Sequence, residues 1–422
     1  MKATVNHSVV SGTITAPASK SYMQRACILA LLRNGKTIIR NPSLSEDDLA
    51  VLQIVKKLGA RVIFHENAIH FEGNPNFRFD GTLNCGESGL ALRMLAPILA
   101  ISGNKITLTG TGSLVNRPVN FLDKVLPALN VKFKSSEGFL PLEIQGPMHA
   151  RNITVDGSLS SQFVTGMLIS FSQIAEEGTM IRISGAVSKP YLQITADMLE
   201  SFGYGIKANG ENEFQIGKKI HVPDPIEIDV PGDWSGASFL LVAGAIAGSV
   251  SVRGLNSGSA QGDRAILQVL ERAGAQIDRN ENDIAISSTG ELGRFTYDAT
   301  DTPDLFPPLV ALAAFCKGTT EIKGLSRLFY KESNRADSLL EVFSKMGVTI
   351  WVEGNSLMVE GGSKLVKASV DGHNDHRIVM AAAVAGLASH SQIVITGAGA
   401  VKKSYPLFFD DLRSIGAQVS LT

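Results

Sequence analysis

Residues 366–397 read VKASVDGHNDHRIVMAAAVAGLASHSQIVITG. A short strand runs into a polar loop, an Ala-, Leu- and Gly-rich helix follows, and a second strand closes on Gly397. Ten residues on, LFFDDLRSIGAQV (407–419) spaces its apolar residues at three and four, as an amphipathic helix does, and meets Gly where a helix C-terminus favours it.

The same grammar recurs along the chain. Its strand-and-loop pieces are GTITAPASKS (12–21), GTLNCGESG (81–89), ITVDGSLSSQ (153–162), IEIDVPGDWS (226–235), FTYDATDTPD (295–304) and VKASVDGHNDHR (366–377). Lys20, Cys85, Ser160, Asp233, Asp304 and Asp375 hold equivalent places, 65, 75, 73, 71 and 71 residues apart. The chain therefore reads as six strand-helix-strand-helix-strand repeats in an α/β fold. The sixth ends at Thr422 with no further strand, while the first is preceded by the spare stretch KATVNHSVVSGTIT. The N-terminal strand is expected to complete the last repeat. That gives one domain over 16–229 and a discontinuous one over 1–15 and 230–422, three repeats each, with hinges near 16–19 and 229–232.

Composition narrows the function. The 422 residues carry a net charge of -1 and 6% aromatics, without the basic excess of a nucleic-acid binder. Cys27, Cys85 and Cys316 form no CxxC pair, so neither a disulfide framework nor a zinc motif is read. Neither a secretory leader nor an apolar run of roughly 20 residues is read, which points to a cytoplasmic protein.

The polar residues gather at the loops. Each loop opens a helix, whose first N–H groups and partial positive charge suit anions. Beside the loops stand Lys20, Arg25, Arg117, Lys331, Arg335, Arg377 and Lys403, with Asp304 and Glu332 as the acids among them. Such an excess of cations in a near-neutral chain calls for multiply anionic ligands, and arginine suits carboxylate and phosphate. The two acids are candidates for proton transfer. Convergence of the helix N-termini on an interdomain cleft is the arrangement expected.

In this order, Lys20–Ser21 with Arg25, Arg117–Pro118, Ser160–Ser161–Gln162, Ser188–Lys189–Pro190–Tyr191, Pro303–Asp304, Lys331–Glu332 with Arg335, Asn374–Asp375–His376–Arg377 and Lys403 resemble the EPSP synthase family over essentially the whole chain. The resemblance implies a two-domain inside-out α/β barrel. It also implies transfer of an enolpyruvyl group from phosphoenolpyruvate to shikimate 3-phosphate, without metal or organic cofactor, by a monomer. By similarity, shikimate 3-phosphate is held by Lys20, Ser21, Arg25, Ser160, Ser161, Gln162, Ser188, Tyr191, Asp304, Arg327 and Lys331. Phosphoenolpyruvate falls to Lys20, Gly89, Arg117, Gln162, Arg335, Arg377 and Lys403. The catalytic set is Asp304, Glu332, Lys20 and His376. Retained Gly89 implies room for glyphosate.

Four positions depart from the family pattern. Gly-Asn-x-Gly-Thr reads Gly86-Glu87-Ser88-Gly89-Leu90, the Asp of Lys-Glu-Ser/Thr-Asp-Arg is Asn334, and Arg327 stands where relatives often place Asn. Two other readings compete. One is the enolpyruvyl transferase acting on UDP-N-acetylglucosamine, which typically carries a reactive Cys shortly before its Arg-Pro loop; here Gly112–Asn116 precede Arg117 without one. The other is a nonenzymatic anion-binding relative.

Overall fold

The computed structural model describes residues 1–158, 160–362 and 364–422. It divides into two compact units, Ala18–Val230 and the paired segments Met1–Pro17 and Pro231–Thr422. The first unit holds α1 (Lys20–Leu32), α2 (Glu46–Lys57), α3 (Gly89–Leu99), α4 (Leu122–Ala128), α5 (Ser161–Ile174) and α6 (Lys189–Ser201). The second holds α7 (Trp234–Ala247), α8 (Ile266–Arg272), α9 (Phe306–Ala313), α10 (Arg335–Lys345), α11 (His376–Ala388) and α12 (Phe408–Ser414). The odd-numbered helices follow the loops, and the even-numbered ones are the amphipathic set.

The first five repeats each carry one strand more than the sequence pattern suggests, because a hairpin follows the amphipathic helix. In the second repeat, Gly81–Asn84 runs parallel to Lys105–Thr109, which is antiparallel to Phe139–Gln145. Phe139–Gln145 pairs in turn with Lys132–Ser136, giving the order first, second, fourth, third. The two parallel strands need a crossover, and the loop-borne helix supplies it.

Two strands sit in sheets other than those their sequence position suggests. Val10–Thr15, just ahead of α1, lies parallel to Gly248–Arg253 of the fourth repeat. Ile226–Asp229, just ahead of α7, lies parallel to Lys36–Arg40 of the first. The first and fourth repeats thus exchange their opening strands, and the chain passes between units beside both. Lys2–Val5 inserts antiparallel between Ile393–Thr396 and Val419–Leu421, supplying the sixth repeat's fourth strand.

Composition decides which helices are interior. From Trp234 to Ala245 every residue of α7 is buried, and a helix apolar on all sides belongs inside. In its unit α7, α9 and α11 pack on one another within a single apolar core. In the other unit α3 packs on α5, and α5 on α6. Each buried Leu, Ile or Phe contributes about 1.5–3 kcal/mol. The core therefore fixes where the helix starts fall, and with them the loop residues.

Caps set those starts. Ser88 accepts from the Ala91 N–H ahead of α3, and Ser160 from the Gln162 N–H ahead of α5. Asp375 accepts from the Arg377 N–H ahead of α11. Ahead of α7 the first turn is satisfied internally: Asp233 accepts from Ser235 and Gly236, and Gln261 from Trp234. The first turn of this loop-borne helix is thus taken up within the protein. Among the described residues no helix is long and apolar enough to cross a membrane.

Candidate functional site

In the unit containing the C-terminus, the polar residues converge on Arg335. This arginine opens α10 and is 1% exposed. Its Nε donates to Asp375 Oδ2 at 2.8 Å and its Nη1 to Asp304 Oδ1 at 2.9 Å. Its Nη2 donates to Glu332 and, at 3.3 Å, to Asp375 Oδ1. The planar fork suits such a set of carboxylates. Lys331 and Glu332 lie ahead of α10, and Glu332 meets the Arg335 guanidinium from the loop that leads into the helix.

Asp304 lies in a 3-10 turn just before α9 and is a second centre. Arg377 Nη2 donates to its Oδ2 at 3.0 Å, and Lys331 Nζ stands 3.5 Å from its Oδ1. Burial alone would raise this carboxyl, but Arg377, Lys331 and Arg335 outweigh it and hold Asp304 well below the usual carboxylate range. Lys331 is pushed the other way: burial lowers it to about 8, against the attraction of Asp304.

Asp375 is wholly buried, and Ser333 also donates to it at 3.1 Å. The buried His376 ring keeps its Nδ1 3.9 Å from Asp375 Oδ1. Lys403 donates to the Asn374 carbonyl at 2.6 Å, which ties the sixth loop to the 3-10 turn Ala398–Lys403. Asp263 stands behind this set, donated to by the Ser235 hydroxyl. Burial, with Asp304 adding to it, raises its carboxyl to about 6 against the pull of Arg377. Arg327 is half-buried and its Nε turns to the Thr300 carbonyl at 3.3 Å. Asn334, at the family's Asp position, donates to Asp337 at 2.6 Å, within the first turn of α10.

In the unit 18–230 the predicted residues form smaller sets. Lys20 Nζ pairs with Asp47 at 2.8 Å. Next to Asp47, Asp48 receives the hydroxyls of Ser43 and Ser45 at 2.5 and 2.6 Å, and burial raises it to about 7. Arg25 is buried without a carboxylate among its hydrogen bonds. It donates to Thr195, Thr165 and the carbonyls of Ser21 and Tyr191 at 2.8–3.3 Å. Burial lowers it to about 10. A buried cation solvated by neutral groups favours an added anion.

Gln162 accepts from Arg93 at 2.9 Å. Ser160 caps α5, Ser161 is buried, and Ser188 takes a left-handed backbone at the start of α6. Arg117 Nη2 donates to Ser113 Oγ at 3.3 Å. A Cβ on Gly89 would lie 2.6 Å from Arg117 Nη1, so this position admits no larger residue unless the guanidinium moves.

The cationic excess expected from the sequence is smaller once acids are placed. Asp375 and Asp47 join the clusters as ion partners, and Asp263 stands near Arg377. Asp375 was signalled by its place equivalent to Asp304 in the repeat. The Asp47–Asp48 pair reads in sequence as ordinary helix N-terminal acids, and Thr165 and Thr195 as single polar residues in apolar helices. All three cysteines are buried and free, and burial pushes the Cys85 and Cys316 thiols up to about 12. None is a poised nucleophile. Among the described residues, no group of three or more His, Cys, Asp and Glu could hold a metal ion.

The family model of EPSP synthase (3-phosphoshikimate 1-carboxyvinyltransferase) matches residues 5–412. A 3-phosphoshikimate 1-carboxyvinyltransferase from Clostridium kluyveri is 35% identical over 416 residues, covering 98% of this chain and 97% of that protein. One from Halobacterium salinarum is 37% identical over 430 residues and 99% of each chain. The solved EPSP synthase of Acinetobacter baumannii superposes with a TM-score of 0.82 at 24% identity, covering both chains fully, and shares the two-domain inside-out barrel fold. With the family model spanning nearly every residue and relatives above one-third identity end to end, the chain belongs to the EPSP synthase family.

Proposed function

We propose that the protein transfers the enolpyruvyl group of phosphoenolpyruvate to the 5-hydroxyl of shikimate 3-phosphate, giving EPSP and phosphate. Family membership supports the reaction. The observation that supports the residue roles is Asp304 held ionised by Arg335, Arg377 and Lys331, with Glu332 on the same guanidinium.

The 5-hydroxyl gives its proton to Asp304 as its oxygen bonds to C2 of phosphoenolpyruvate. C3 gains a proton from Glu332 or Lys20. The C2–O bond to phosphate then breaks and C3 gives its proton back. While three cations hold Asp304, its carboxylate is a weak base. Substrate anions that take up part of the charge of Arg377 and Lys331 make it a stronger one.

Arg117, Gln162, Arg335, Arg377, Lys403, Gly89 and Lys20 receive phosphoenolpyruvate. Ser21, Arg25, Ser160, Ser161, Gln162, Ser188, Tyr191, Arg327 and Lys331, with Lys20 and Asp304, receive shikimate 3-phosphate. His376 stays close to the reacting groups. Fixed charges around two anionic substrates stabilise charge that develops as phosphate departs. The same reading makes the protein a monomeric cytoplasmic enzyme of aromatic amino-acid biosynthesis.

The test is phosphate release by the purified protein, with each substrate omitted in turn and EDTA present. Release that needs both substrates and resists EDTA is expected. Binding of both without release would instead mark a nonenzymatic relative.

A further inference from the structure

An acid beside an arginine that receives a phosphate would ordinarily cost affinity. Glu87 is such an acid, half-buried in the loop ahead of α3. Its Oε2 accepts from the Ser113 N–H at 2.9 Å. The same Ser113 accepts from Arg117 Nη2 through its hydroxyl at 3.3 Å. A second tie joins the two loops, Thr111 N–H donating to the Gly86 carbonyl at 2.8 Å.

Two glycines make this arrangement possible. Gly112 has φ +54°, and a Cβ there would lie 2.2 Å from the Glu87 carboxyl carbon. Its missing side chain is the space the carboxylate occupies. On the other side, Gly89 lets the Arg117 guanidinium lie against the start of α3.

We infer that Glu87 is a positioning residue, a latch that fixes Ser113 and through it the side chain of Arg117. A carboxylate engaged with a backbone N–H makes a strong charge-assisted bond. The inference rests on the proposed role of Arg117 as a phosphoenolpyruvate ligand. It predicts the opposite sign from simple repulsion: removing the acid should weaken phosphoenolpyruvate binding.

The experiment measures kcat and both KM values for wild type, Glu87→Gln, Glu87→Ala, Gly112→Ala, the Glu87→Ala/Gly112→Ala double variant and Arg117→Ala. Glu87→Ala should raise KM for phosphoenolpyruvate about tenfold, with kcat and KM for shikimate 3-phosphate within about twofold. Glu87→Gln keeps an acceptor for Ser113 and should return the KM to within about threefold of wild type. Gly112→Ala displaces the carboxylate and should match Glu87→Ala. Combining the two should add little, because both remove one contact.

A KM for phosphoenolpyruvate that falls, or rises less than about threefold, in Glu87→Ala or Gly112→Ala overturns the inference. So does a loss shared equally by kcat or by KM for shikimate 3-phosphate. If Glu87→Ala fails to fold, Gly112→Ala decides, since it keeps the native acid. Arg117→Ala separates the two readings. An unchanged KM there removes the role of Arg117 itself, whereas a raised KM alongside unaffected Glu87 variants removes only the latch.

Discussion

Replacing Arg335 by alanine should damage stability as well as ligand binding. The side chain is 1% exposed and joins Asp375, Glu332 and Asp304, whose side chains are 0%, 15% and 26% exposed. Asp304 keeps Arg377 and Lys331 after the change, and water reaches it and Glu332, so both are discounted. Asp375 loses a two-point contact at 2.8 and 3.3 Å in a place water does not reach. Breaking such a buried pair costs about 3–5 kcal/mol. In a unit of roughly 200 residues, 1 kcal/mol lowers Tm by about 2–4 °C, so a loss of about 6–20 °C is expected. Thermal unfolding followed by circular dichroism without ligands measures it. Arg335→Lys keeps the charge but not the fork, and should fall between. A Tm for Arg335→Ala within about 3 °C of wild type would mean that Asp375 does not depend on this guanidinium.

Other consequences can be read the same way. Burial holds the Asp48 carboxyl at about 7, above its unfolded value, so the folded chain binds the extra proton. Stability should therefore fall as pH rises from about 4 to about 7, and Asp48→Asn should remove a contribution of about 4 kcal/mol from that fall, measured by denaturant melts. Asp304 is depressed and works in reverse, its contribution being lost only as pH drops below the ordinary carboxylate range. Lys331, lowered to about 8, should give kcat/KM for shikimate 3-phosphate a limb that declines through that pH, and Lys331→Arg should move the limb upward. A profile flat to pH 10 or so in wild type would contradict it. Gly89→Ala places a Cβ 2.6 Å from Arg117 Nη1 and should raise KM for phosphoenolpyruvate about tenfold; an unchanged KM would mean the guanidinium yields freely.

The repeats are legible because each loop-borne helix is rich in Ala, Leu and Gly, while the second helix of each repeat spaces its apolar residues at three and four. The extra hairpin strands were less so. Glu66 and Glu137 occupy the left-handed region at φ 49° and 52°, where a sequence reader expects Asn or Gly. Strand exchange between the first and fourth repeats left no local mark, since the exchanged strands have the same residue pattern and differ only in their partner. At the site, cations were recognisable by type and position in the repeat, but their partners were not. Asp47 and Asp263 pair through folding with residues distant in sequence or on other elements, and nothing in their immediate neighbours distinguishes them from helix-start acids. The reach of Glu87 to Ser113 spans 26 residues and depends on the missing side chain of Gly112, a relation no single motif carries.

Asp304→Asn, assayed for phosphate release and, by calorimetry, for shikimate 3-phosphate binding, isolates the proton-transfer role of Asp304. The substitution keeps the shape of the side chain and removes its ability to take the hydroxyl proton. Binding within about threefold of wild type, with kcat lowered by about 10²–10⁴-fold, is the predicted result. Turnover close to wild type would show that the hydroxyl proton leaves by another route and would contradict the central role given to Asp304.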